Sequence, residues 1–171
     1  MRSLTAVPIA ALVVGLAAAS AAAPARADTR FLAYDAANDL TQAMTKGLTF
    51  EVRRGLFGAV RIQRLFSTSS RGSAELEEGG PDGVRRQLSD GAEEDQVYRI
   101  QPTGDGRGLA RALCPSADSV WLVTGRVRAA RPLTVHAVGQ WSDGTFRHCL
   151  TLNYEWRGEW ATAPLMGPPA P

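Results

Sequence analysis

The metal-ligating and redox-active side chains that stand out in this 171-residue sequence are two cysteines, Cys114 and Cys149, and two histidines, His136 and His148. Together they would just meet the four Cys or His ligands of a structural zinc site. The cysteines are better explained by each other. Both lie downstream of an export signal described below, and an even count in an oxidising compartment reads as one disulfide. The bridge would enclose 34 residues and contribute about 3–4 kcal/mol in the chain-entropy picture. The hairpin register derived below sends the two histidines to opposite sheet faces, where they cannot share an ion. No metal and no cofactor is expected.

Other chemistries find little support. Serines are plentiful, but no G-x-S-x-G elbow occurs to expose one as a nucleophile. Gly104-Asp105-Gly106-Arg107-Gly108 precedes a possible helix as a phosphate-binding turn would. It lacks both the G-x-G-x-x-G spacing and the P-loop lysine, and Asp105 would repel an anion. Asp35 with Asp39, and Glu155 with Glu159, are carboxylate pairs of the kind that acid–base hydrolysis uses, but spacing alone gives no convergence and they read as solvated charge. His148 is the best candidate for a ligand contact, because Gly139 leaves a gap near it beside Trp141 and Phe146.

The elements that would position these residues are clearest in the last third of the chain. Asp143-Gly144 is a strong two-residue hairpin turn, since both residues tolerate positive φ. With that turn Trp141 faces Phe146, Ala137 faces Leu150, Val135 faces Leu152 and Leu133 faces Tyr154. All of these pairs are apolar or aromatic. The other face pairs Gln140 with Arg147, Val138 with Cys149, His136 with Thr151 and Thr134 with Asn153. A one-residue slip would exchange the faces, so the pattern selects the register. It also points Cys149 to the more polar face, and Cys114 would then tie residues 109–114 across Val138 and Thr151.

Further strands are expected at residues 30–34, at 48–53 with a hairpin partner at 60–62, and at 97–100. Residues 64–66 break the alternation, as a bulge or strand end would. Val120-Trp121-Leu122-Val123 is continuously apolar and predicts a central strand buried on both faces. Helical spacing of Ala36, Leu40, Ala43 and Met44, with Asp35 as cap and Gly47 as stop, predicts a helix over 35–46. A shorter one is expected over 109–113, halted by Pro115. Residues 67–95 are polar and rich in glycine, serine and charge, and are expected to form a long mobile loop with a helical turn near 84–88. Among the aromatic residues, the phase sends Trp141, Tyr154 and Trp156 to the core and leaves Trp160 exposed.

The chain begins with Arg2, an apolar run over 4–19 and two A-x-A sites ending at Ala27. This is the order of a cleavable secretory signal of bacterial type. Domain organisation follows: a signal over 1–27, one mainly-β domain over 28–162, and a Pro-rich disordered tail over 163–171. The fold expected is a single-domain antiparallel β-sandwich or small open barrel with one or two short helices. Without Arg2 and Arg26 the charge balances at 17 basic against 17 acidic side chains, which argues against nucleic acid as a partner. No later stretch is apolar enough to span a bilayer. The sequence thus predicts a periplasmic or secreted, non-catalytic domain that binds an unknown envelope protein or component. The alternative is a small-ligand or hydrolytic role near His148.

Overall fold

The computed structural model describes residues 28–55 and 60–161. The expected signal over 1–27 and the tail over 163–171 lie outside the described residues. Within them the chain is mainly β, and eight strands form a closed antiparallel barrel rather than a sandwich or an open one. The strands are β1 (Asp28–Ala36), β2 (Gly47–Arg54), β3 (Val60–Ser67), β4 (Ser73–Glu78), β5 (Gln96–Ile100), β6 (Ser119–Thr124), β7 (Leu133–Gln140) and β8 (Phe146–Trp160). Each pairs with the next, and β8 returns to β1. Full closure removes the sheet edges that a sandwich leaves exposed.

Period-two alternation sorts each strand. Leu32, Tyr34, Phe50, Leu65, Leu122 and Tyr154 belong to one buried apolar cluster that fills the barrel. An eight-stranded barrel is about the size that side chains alone can fill. Glu51, Arg64 and Glu75 stand outside, joined by ion pairs with partly exposed side chains. An apolar inside and a charged outside are the reverse of a membrane barrel's pattern. No helix among the described residues is long and apolar enough to cross a membrane.

Bulges provide the bending that closure requires. On β3 the register shifts between Glu51 and Val52, leaving Gln63 unpaired, which accounts for the broken alternation near residues 64–66. The 15-residue β8 has two such shifts, one against β7 and one against β1. It pairs with β7 along its first part and with β1 along its second, so one strand turns the corner that closes the barrel.

The helices differ from expectation in extent. Asp35 and Ala36 belong to β1, and α1 covers only Asp39–Met44. Its cap is Asn38, whose side chain accepts a hydrogen bond from the Thr41 N–H. Pairing with both β2 and β8 holds Asp35 extended, outweighing the weak helical pattern of so short a segment.

Residues 67–95 depart furthest from the expected mobile loop. They include β4 and the short helix α2 (Asp82–Arg85). The stretch from 79 to 95 is a strap laid over the outside of β5–β8. Val84, wholly buried, packs there with Val97, Trp121, Val123 and Val138, joined by Leu88 and Phe146. Glycine allows the close approach. A Cβ at Gly83 would lie 2.6 Å from the Phe146 ring, and one at Gly80 would lie 2.8 Å from Val97. The strap's far end is held where Asp95 accepts a hydrogen bond from the Arg126 N–H. This second core is why β6 is apolar at every position from Val120 to Val123: Val120 and Leu122 face the barrel, Trp121 and Val123 the strap.

Candidate functional site

The hairpin of β7 and β8 builds the site, and its register departs instructively from the one read in the sequence. Residues 133–137 pair with 150–154 as expected, Ala137 opposite Leu150. Beyond that point Val138 faces His148, Gly139 faces Arg147 and Gln140 faces Phe146. The cause is the turn. Trp141 and Thr145 exchange the closing contact, with the Trp141 N–H donating to the Thr145 carbonyl at 3.0 Å, so the loop is Ser142-Asp143-Gly144, three residues rather than two. Gly144 takes the positive φ of 79° that such a loop needs at its last position. Asp143 fixes the loop by accepting hydrogen bonds from the Thr145 N–H and hydroxyl. Those two bonds hold its carboxyl below the ordinary range. The bulge at Cys149 then restores the original register.

Two corrections follow. Cys114 and Cys149 are bonded, with Cα atoms 5.4 Å apart. The bridge does not run across Val138 and Thr151 on the outer face. Helix α3 (Gly106–Leu113) buries Leu109 and Leu113 in the barrel core, and Cys114 follows them in. The disulfide therefore fastens the helix to β8 from within, because the bulge turns Cys149 away from the face of Val138.

The second correction concerns the histidines. The same bulge puts His148 opposite Val138, on the outer face that also carries His136. Their ring centroids are 5.8 Å apart. Thr151 Oγ1 lies 3.1 Å from His136 Nδ1 and 3.0 Å from His148 Nε2. A hydroxyl has one proton to give and two lone pairs, so at most one ring accepts from Thr151 and at least one donates to it. His136 is buried and His148 exposed. Burial, followed by the proximity of His148, lowers the His136 pKa from the usual imidazole value. The strap's Gln87, Leu88 and Ser89 complete a cleft of about 330 Å³ over the pair.

The trio expected around His148 is not brought together. Phe146 is spent on the strap, 5.7 Å from Trp121 in ring-centroid distance. Trp141 lies at the barrel end, where a Cβ on Gly139 would meet its ring at 2.9 Å. Arg147 stacks 5.1 Å from the Trp141 ring. The gap above Gly139 is thus filled by Trp141. The sequence reading missed His136 and Thr151 as companions of His148, and the only signal for them was the choice between a two- and a three-residue turn.

Of the carboxylate candidates, Glu159 and Asp35 are engaged in ion pairs, Glu159 with Arg54 at 2.9 Å and Asp35 with Arg157 at 3.5 Å. Asp105 lies against Gly72, so the glycine-rich turn before α3 is packed on β4's approach. Among the described residues no group of three or more His, Cys, Asp or Glu converges as a metal site.

The other notable surface is the outside of β8, β1, β2 and β3, which no strap among the described residues covers. Trp160 pairs with Phe31 across the β8–β1 seam and is 37% exposed. Phe31 and Phe66 are 6.5 Å apart in ring-centroid distance, and the Arg64 guanidinium lies 5.8 Å from the Phe66 ring. The comparisons leave this surface and the histidine cleft to be interpreted from their own geometry: no family model, curated protein or solved structure matches this chain.

Proposed function

We propose that this chain is an exported, non-catalytic domain whose barrel engages an envelope protein through its outer surface. The observation that carries the reading is the filled interior. One apolar cluster from all eight strands and α3 occupies the space in which a ligand-carrying barrel would hold its cargo. Binding therefore falls to the outside. There the strap already covers β5–β8, and among the described residues nothing covers the Phe31–Phe66–Trp160 surface. Aromatic residues beside an arginine are the side chains most enriched at protein-binding hot spots. The disulfide is consistent with an oxidising compartment, and the N-terminal residue pattern with export.

The hydrolytic alternative at His148 is less well supported. Gln87, Leu88, Ser89, His136, His148 and Thr151 line its cleft, and none is an acid able to orient an imidazole as a base. The test of the main reading is a photo-crosslinking amino acid at Thr49, which lies between Ala33 and Phe66 across the open face. The expected result in the native envelope is one dominant protein adduct that disappears when Phe66→Ser and Trp160→Ala are added. An adduct that persists in that variant, a polysaccharide adduct, or no adduct overturns the reading.

A further inference from the structure

We propose that His136 and His148 form a binding site for a divalent transition-metal ion of the imidazole-preferring kind, copper(II) foremost. The inference goes beyond the protein-binding reading and rests on a different face of the barrel. Its basis is convergence. Two ring nitrogens from adjacent strands, His136 Nδ1 and His148 Nε2, are directed at a single atom, Thr151 Oγ1, at 3.1 and 3.0 Å. Two imidazoles aimed at one point are the minimal chelate for such an ion, which binds each nitrogen at about 2.0–2.1 Å. The hydroxyl now occupies the meeting point. For an ion to enter, Thr151 turns aside and His148, exposed at the surface, moves inward. Each ring that donates to Thr151 shifts its proton to its other nitrogen, so that both lone pairs face the ion.

The surroundings select the class of ion. No carboxylate and no cysteine lines the cleft, and both cysteines are bonded to each other. Hard ions such as calcium and magnesium require several oxygen ligands and would find too few. Imidazole suits copper, nickel and zinc, and copper(II) binds tightest in the general order of divalent ions. No lysine or arginine is among the lining residues to repel the cation. A cleft of about 330 Å³ has room for several waters, each occupying about 30 Å³. With two protein ligands and water in the remaining positions the site is open and exchangeable, unlike a closed structural zinc site.

The experiment is titration of the purified full chain with copper(II), followed by calorimetry and by electron paramagnetic resonance that counts coordinated imidazoles. One ion per chain with two imidazole ligands is expected. His148→Gln should retain its far-UV circular dichroism, since the side chain is exposed. It should bind at least about tenfold more weakly, the smallest effect expected when even the outer surroundings of a metal ligand are disturbed. Thr151→Val should retain two-imidazole binding, because the hydroxyl competes for the lone pairs rather than supplying the site. Absence of binding overturns the proposal. So does a spectrum with fewer than two imidazoles, or an affinity unchanged in His148→Gln, as binding at the chain terminus would give.

Discussion

The two sides of the barrel wall solve the same problem differently. On β5–β8 the outer face is apolar, and the strap covers it with Val84 and Leu88 to make a second core outside the first. On β2 and β3 the outer face carries Glu51, Arg61 and Arg64; Arg64 pairs with Glu51, and both arginines pair with glutamates of β4. The strap follows the apolar strand β6, whose Trp121 and Val123 would otherwise be exposed to water. Where the strands alternate, as Leu48, Phe50 and Val52 do on β2, no cover is required. A segment's own polarity is thus a poor guide to its order. The polar strap is held by what it covers.

The largest effect expected is on a feature that serves both sides. Loss of the disulfide in a Cys114→Ser, Cys149→Ser variant should lower global stability by about 3–4 kcal/mol, from the loop of 35-residue sequence separation that it closes. Urea unfolding measures the loss. Hydrogen exchange should show α3 loosening first, with the β1–β2 pairing least affected. If the hairpin of β1 and β2 loosened first, the bridge would not be acting through α3.

Gly83→Val tests whether the strap side depends on close approach. The new side chain would begin 2.6 Å from the Phe146 ring, an overpacking that costs about 1–3 kcal/mol. Trp121 fluorescence should shift to the red, and protease should cut near Arg85 and Arg86 before the barrel unfolds. Unchanged Trp121 emission would mean that the strap does not seal that face.

Acid should also weaken the strap side selectively. The pKa of His136 in the folded chain lies below its ordinary value, so the unfolded chain takes up the proton first. Its contribution to stability is complete above about pH 6.5 and is lost as pH falls from there toward the folded value. In metal-free buffer, the drop in urea midpoint between pH 7.5 and 5.5 should be smaller in His136→Asn than in the parent. Equal drops would remove His136 as a cause.

The open side should respond least. Arg61 and Glu78 are 3.7 Å apart with side chains 77% and 60% exposed. Such surface pairs are worth about 0–1 kcal/mol. Arg61→Gln should leave the urea midpoint almost unchanged, and a loss comparable to that of Gly83→Val would erase the distinction between the two faces.

Several features were legible in the residues because they depend on local periodicity or on counting. The alternation of Leu48, Phe50 and Val52 marked β2, and the apolar run of Val120 to Val123 marked a strand buried on both faces. The pairing of residues 133–137 with 150–154 followed from the sorting of faces, and the Cys114–Cys149 bond from an even count together with an expected export signal. What tertiary structure alone decided was closure, cover and one register step. Closure depends on bulges at Gln63, Cys149 and Arg157, and an extra strand residue has no sequence signature beyond a broken phase. Cover depends on Val84 meeting Trp121 and Val123 from a distant part of the chain, a contact invisible in a window of polar residues. The register step came from Asp143: its bonds to Thr145 make a three-residue turn where Asp-Gly alone indicates two. That single residue of loop, compensated at the bulge, brings His148 round to the side of His136 and Thr151.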